Sequence, residues 1–386
     1  MQDPNEVRNS HVQRFQAEPT LFSAPGRVNI IGEHTDYAEG FVMPAAIDFT
    51  TVAAISPRTD GRIVIHSLHF AEEVSFDLAN LPAKGTHHWS DYPMSVVSVL
   101  KSVGVDPVAF SLTFAGDVPL GSGLSSSASV EVAVFLAVAS LSARKFAPQE
   151  IARLCQRAEN EYVGTQCGIM DQFISCCGAK DHALLLDCRD LSFRLAPIPT
   201  DVSIVISNTM VKHSHAGGEY NTRRAEVEEG VTILRKHRPE IRVLRDATVD
   251  DLAKWGHEMR PSVLKRCRHV VTENNRTVAA ADALASGDMK ELGRLMAEAH
   301  ASYRDDFEGS CKEADLMVEL ANTLPGLIGA RLTGGGFGGC TVNLVENGQA
   351  AAFAGSLKAA YLKESGITAD VYLCHASAAA GPVETA

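Results

Sequence analysis

Nowhere in the 386 residues is there a Gly-x-x-x-x-Gly-Lys-Ser/Thr run, so the standard phosphate loop of the P-loop nucleotide hydrolases is excluded. Cys-x-x-Cys is missing as well. The nine cysteines are an odd number scattered along a long chain, which argues against a secreted disulfide framework and for free thiols in a reducing cytosol. Cys176 and Cys177, adjacent in an apolar stretch, read as packing residues. No apolar run is long enough for a bilayer: the longest largely apolar stretch, Val130–Leu141, contains Ser140 and is too short. The first fifteen residues are polar and mixed in charge, unlike a signal peptide. A basic excess is also lacking. Lys and Arg number 35 against 47 Asp and Glu, a net charge of −12, which excludes nucleic acid and anionic membrane as partners. An anionic nucleotide remains open, because it needs only a local pocket of donors.

Internal repeats and low-complexity linkers are absent, and the length fits two domains or one large body. Thr20–Ser23, Thr50–Ser56, Arg62–Ser67 and Val108–Ala115 have the composition and alternation of strands. Ser125–Leu141 reads as a buried helix. Pro148–Val163 reads as an amphipathic one, with Ile151, Leu154, Cys155 and Ala158 on one face. After a strand at Val202–Ile206 the texture changes to charged helices at Tyr220–Lys236, Val263–Ala285 and Met289–Tyr303. Strands at Ala330–Leu332 and Cys340–Val345 flank a glycine cluster. The Pro-containing stretch near 190–200 divides the chain into a first lobe, 1–195, and a second, 196–386. The expected architecture is an α+β body of two lobes, with the loops that carry chemistry meeting between them.

Three segments carry that chemistry. Ala24–Tyr37 packs Arg27, Glu33, His34 and Asp36 among glycines and short apolar runs. Arg27 is a fixed cation with a planar donor fork suited to phosphate or carboxylate, and the following groups offer the acceptors and donors that sugar hydroxyls require. The Glu-His-x-Asp spacing fits no common zinc pattern. Pro119–Ser129 places Gly121, Ser122, Gly123, Leu124, Ser125, Ser126 and Ser127 directly before an apolar helix. Glycines let the backbone curve around a ligand, and hydroxyls and N–H groups at a helix N-terminus hold phosphates. Thr333–Cys340 has five glycines in six residues and matches Gly-x-Gly-x-x-Gly by letter. A strand follows where a dinucleotide fingerprint needs a helix, so the cluster implies close approach of backbone to a ligand or another loop. Between these segments, Cys167–Phe173 sets Asp171 alone among apolar neighbours after Gly168; read by itself, Asp171 is a helix N-terminal residue with an ordinary capping role.

In order and spacing, Gly26–Tyr37, Pro119–Ser129 and Thr333–Gly339 resemble the three motifs of the GHMP kinases. The forms Gly-Arg-Val-Asn-Ile-Ile-Gly-Glu-His-Thr-Asp-Tyr and Cys-Gly-Ile-Met-Asp-Gln-Phe are similar to those of the branch that phosphorylates galactose at its anomeric hydroxyl. The resemblance spans residues 24 to 339. It implies a two-lobed α+β fold with the site between the lobes, and ATP and Mg²⁺ as co-substrate and cofactor. It further implies Asp171 as the catalytic carboxylate with Arg27 beside the transferred phosphoryl group, and Glu33, His34, Asp36, Gly168 and Tyr220 around the sugar. Gly121–Ser127 would hold the nucleotide with Trp89 nearby, and Ser126 and Glu159 would hold the metal. Ala38 departs from the pattern, which usually has Asn after the Tyr. N-acetylgalactosamine, a uronic acid or arabinose would be alternative substrates. A galactose-sensing regulator is the non-catalytic alternative, disfavoured because Gly123–Ser129 is uninterrupted and Asp171 is present. The expected partners are the sugar and ATP, the expected location is the cytoplasm, and the oligomeric state is left open, with a monomer compatible. His213 and His215 form a His-x-His read as solvated loop residues.

Overall fold

The computed structural model describes residues 2–82, 84–212 and 216–384, without the side chains of Lys212, Ala216, Gly217 and Tyr220. His213 and His215 therefore lie outside the described residues. A first sheet is built from β1 (Thr20–Ile31), β2 (Phe41–Pro57), β3 (Arg62–Ser67), β4 (Glu72–Asp77) and β5 (Phe110–Gly116). β6 (His182–Asp187) and β7 (Phe193–Pro197) extend it from β2. A second sheet combines β8 (Val202–Lys212), β9 (Leu327–Leu332), β10 (Gly338–Glu346) and β11 (Asp370–Cys374) in the order β11-β8-β10-β9, antiparallel throughout. The change of sheet falls between Pro197 and Val202. The chain end does not stay with the second sheet. β12 (Gly381–Pro382) crosses back and pairs with β1 through Phe22↔Pro382 and Ser23↔Gly381.

β1 runs eight residues beyond the expected Ser23. Pro25, Gly26, Arg27 and Asn29 hide the strand from a period-two reading, yet Val28, Ile30 and Ile31 are fully buried and hold it in the sheet. The pairing with β2 slips between Pro25 and Arg27 and again between Asn29 and Ile31. Such bulges re-aim side chains, and here they flank Arg27 and Asn29. The helix Ser126–Ser140 is apolar almost all round and sinks into the core of the first sheet with Val132, Phe135 and Val138. One carboxylate, Glu131, lies in that stretch and is fully buried. The helix expected at Pro148–Val163 is α-helical to Ala158 and then opens into a π-turn, Glu159–Val163, closed by Gly164 in the left-handed region. Widened turns of this kind recur at functional sites. All nine cysteines are free. Among the described residues no helix is long and apolar enough to cross a membrane.

Candidate active site

The bulged strand aims Arg27 at the first turn of the helix Met170–Cys177. There the Nε and the second terminal nitrogen of Arg27 donate to Asp171 Oδ1 and Oδ2, both at 2.8 Å. A bidentate fork of this kind fixes both planes and is among the stronger charge-assisted pairings. The remaining terminal nitrogen of Arg27 donates to the Gly123 carbonyl, and Ser125 Oγ donates to Asp171 Oδ2. Asp171 is thus no cap: no side chain caps that helix, and the carboxylate turns outward with about a quarter of its side-chain surface exposed. Arg27 and Asp171 share one cavity of about 470 Å³ with Glu33, His34, Asp36 and Glu159.

The serine-rich loop supplies the anion-binding edge of this cavity. Ser125 sits in the left-handed region, φ 63°, immediately before the helix and makes no capping bond of its own, so the first-turn N–H groups keep no side-chain acceptor. An N-terminus left open in this way suits a phosphate. Gly121 and Gly123 are exposed. Ser122 and Leu124 are buried and serve the loop: Ser122 Oγ donates to the Pro119 carbonyl at 2.7 Å, and the Leu124 carbonyl accepts from the Arg27 N–H at 3.1 Å. Of the hydroxyls at the helix start it is Ser127 that lines the cavity and bonds to Glu159, while Ser126 is not part of the lining. The helix explains this, since successive residues point about 100° apart and only one of the two can face the π-turn. Behind Glu159, Gln172 Nε2 donates to Glu159 at 2.8 Å and to Glu131 at 3.1 Å. Among the described residues Glu131 Oε1 and Gln172 Oε1 have no hydrogen-bond partner. Burial, and then the Asp171 charge, push Glu159 up from the ordinary carboxylate range. A buried set of carboxylate and hydroxyl oxygens that lacks sufficient compensation is what a hard divalent cation would satisfy. Among the described residues no cluster of three or more His, Cys, Asp or Glu is arranged to hold a metal by itself.

The opposite edge is the Glu33–Asp36 turn. Glu33 is buried and accepts from Asn29 Nδ2 at 2.7 Å, the Gly334 N–H at 2.8 Å and Arg331 at 3.2 Å. Burial raises its pKa against those three pulls. His34, at φ 60°, is held by Tyr303 Oη at 2.9 Å and the Gly335 carbonyl at 3.3 Å on Nε2, while the Tyr37 hydroxyl lies 3.3 Å from Nδ1. Burial lowers its pKa to about 3, so the ring is neutral. The Nε2–H tautomer satisfies all three contacts. Asp36 is pushed up to about 6 by burial and by Asp171. Its carboxylate lies so close to Gly168 that a Cβ there would come within 1.6 Å of Oδ2; only glycine fits. The backbone of Tyr220 belongs to the helix Ala216–Arg235, and its side chain lies outside the description.

Trp89 stands apart from this cavity. Its Nε1 donates to Glu72 at 2.7 Å and its ring stacks on Phe70 at 5.9 Å. Ala38 is buried in an apolar cluster with Val227, Val231 and Leu244 and faces away from the cavity, so the departure from the usual Asn leaves the site's lining untouched. Several members of the site gave no signal in the sequence reading. Arg331, two residues before the glycine cluster, bonds Glu33, and Tyr303 bonds His34. Gln172 lies inside the Cys167–Phe173 motif, but its role comes only from the fold: it bridges the two buried glutamates. The glycine cluster approaches another loop, as its composition suggests: a Cβ on Gly334 would lie 3.2 Å from the Gly123 carbonyl.

This geometry has relatives. Residues 80–179 match the model of the GHMP kinases N-terminal domain, and residues 280–363 that of the GHMP kinases C-terminal. Fold and site together define a GHMP kinase. Residues 9–57, which contain the whole Arg27–Tyr37 segment, match the galactokinase galactose-binding signature. The galactokinase of Chloroflexus aggregans is 47% identical over 365 residues, 94% of each chain, and that of Roseiflexus sp. is 43% identical over 384 residues, 99% of this chain and 98% of the relative. The crystal structure of Lactococcus lactis galactokinase complexed with galactose superposes with a TM-score of 0.94 at 33% identity, covering 98% of this chain and 99% of that one. The chain belongs to the galactokinase family.

Proposed function

We propose that the chain transfers the γ-phosphoryl group of ATP to the anomeric hydroxyl of D-galactose, giving galactose 1-phosphate and ADP. The observation that carries this reading is the bidentate Arg27–Asp171 pair, tied to the phosphate-holding loop through Gly123 and Ser125 and open to the cavity of the Glu33–Asp36 turn. Asp171 takes the proton of the attacking hydroxyl, the new O–P bond forms, and the bond from the γ-phosphorus to the bridging oxygen breaks to release ADP. Such transfers depend mainly on positioning and charge neutralisation. Arg27 supplies a fixed positive charge where the moving group passes. Gly121, Gly123 and the N–H groups after Ser125 hold the nucleotide phosphates. Ser127 and Glu159 would hold Mg²⁺, which supplies further charge neutralisation when bound. His34, Asp36 and Glu33 present one neutral ring and two carboxylates to the sugar hydroxyls. The nine free thiols fit a reducing cytoplasm.

Galactose and glucose differ only in the direction of the C4 hydroxyl, and buried polar groups separate such epimers because an unpaired one costs about 1–3 kcal/mol. Two such losses give roughly 10²–10⁴ in kcat/KM. A coupled ADP-release assay over galactose, glucose, N-acetylgalactosamine, arabinose and a uronic acid, with and without Mg²⁺, tests the assignment. Galactose should be preferred to glucose by that factor, and comparable use of glucose would overturn it.

A further inference from the structure

A second cavity, of about 430 Å³, backs onto the first. The two share Asp36, Gln166, Cys167 and Gly168, so the segment Gln166–Gly168 is a partition with a sugar-site residue against it. The charge of this second cavity runs opposite to that of the molecule. Arg153, Arg189 and Arg224 line it, and the one carboxylate in the lining is Asp36, although the chain as a whole carries −12. Arg189 is paired with Glu39 at 2.9 Å and Asp246 at 2.6 Å, both surface contacts, and Arg224 with Glu228 at 3.2 Å. For Arg153 no ion pair is recorded among the described residues. Exposed pairs of this sort are worth little and exchange readily for a better anion.

We propose that this cavity is a regulatory site for a phosphate dianion, either inorganic phosphate or a small phosphate monoester. Planar guanidinium forks from three separate elements match the three oxygens of a phosphate better than a single carboxylate. The amide side chains of Gln156 and Asn160 stand beside them. Coupling to the sugar site is built into Arg224. Its terminal nitrogen donates to the Gln166 carbonyl at 3.3 Å, and its guanidinium covers the Tyr37 ring at 5.5 Å. Tyr37 in turn contacts His34 Nδ1. A phosphate that draws Arg224 toward itself releases the partition and uncovers Tyr37, and it adds negative charge beside Asp36. Bound phosphate therefore weakens galactose binding without occupying the galactose site.

The test begins with protein saturated with Mg²⁺ and a non-hydrolysable ATP analogue, so that the serine-rich loop is already filled. Calorimetric titration with inorganic phosphate, and separately with galactose 1-phosphate, should show saturable binding in the absence of galactose, which keeps this result independent of the sugar assignment. Tighter binding of the ester supports an ester ligand, and equal or tighter binding of inorganic phosphate supports the free ion. Arg153→Ala, at an exposed position, should weaken that binding about tenfold or more, and Arg224→Ala likewise. Galactose affinity should fall about fivefold or more to a plateau as phosphate is raised. That fall should vanish in Arg224→Ala, with phosphate affinity falling by the same factor when galactose is present. Absence of saturable binding, binding unchanged in both variants, or loss of galactose affinity without a plateau would overturn the proposal.

Discussion

Asp36 is asked to be an acceptor for a sugar hydroxyl while buried at a pKa near 6. Its native value lies above the unfolded one, so the folded state takes up a proton between about pH 6 and 4, and the charge costs stability at pH 7. Two results should follow. The KM for galactose should rise as the pH falls through about 6, a trend lost in Asp36→Asn. The same variant should melt at a higher temperature than the wild type at pH 7.5 while its galactose KM is raised tenfold or more, roughly the value of a hydrogen bond to a charged group. Asp171→Asn should lower turnover by about 10²–10⁴ and leave nucleotide binding in place; retention of a tenth of the activity, measured by ADP release, would remove Asp171 as the base. At Gly168 even Ala should cost about 1–3 kcal/mol or displace Asp36, read as a lowered urea midpoint or a raised KM. Arg27, Glu33, His34 and Asp36 were legible because they sit in one short dense motif, whereas Asp171 and Glu159 stood out only through the resemblance. Their supports were not legible. Arg331, Tyr303 and Glu131 are ordinary letters inside a strand or helix, and only folding brings them within hydrogen-bond distance of the motifs. The choice between Ser126 and Ser127 depends on helical phase relative to Glu159, which a run of identical residues conceals.

At the scale of elements, long helices were readable and bulged strands were not. The helix Ser126–Ser140 differs from its expected bounds by one residue at each end. β1 loses its alternation where it becomes functional, because the bulges that aim Arg27 also break the period of two. The first helix, Pro4–Phe15, is opened by the Asp3 cap and Pro4 but is too polar to show an apolar stripe, and it carries a titratable anchor. His11 is fully buried, with Nε2 2.8 Å from Ser56 Oγ and Nδ1 3.1 Å from Thr113 Oγ1, which fixes the helix to β2 and β5. Burial, only partly offset by Glu18, lowers its pKa to about 4. Against an unfolded value near 6.5, the unfolded chain binds the extra proton between pH 6.5 and 4, so this contribution is present above pH 6.5 and is lost as the pH falls toward 4. It amounts to about 3 kcal/mol at most. Buried neutral His34 and His269 act in the same direction. Urea unfolding at pH 7 and pH 5 should show lower stability at pH 5, and His11→Gln should narrow the difference between the two.

At the scale of the whole molecule the two sheets are joined through charge buried between them. Arg331, on β9 of the second sheet and fully buried, reaches Glu33 at 3.2 Å and Glu273 at 3.9 Å. Burial acts to raise Glu273, but Arg276 and Arg331 pull it down to about 2. Arg331→Met would leave buried Glu33 without its cation and Glu273 with Arg276 alone, and should destabilise the protein by about 3–5 kcal/mol. Thermal and urea unfolding would register that loss, and an unchanged midpoint would show that water already serves these groups. The path of the tail was not legible, because the two-residue strand Gly381–Pro382 carries no periodicity to read. That tail bears on how the protein is made. Phe22 and Ser23 on β1 receive their partners only once Gly381 and Pro382 have been synthesised. While the ribosome still holds Gly381 and Pro382, this edge of β1 stands uncovered. The nascent chain therefore closes this edge of its first-built sheet only after the other strands of both sheets have been made.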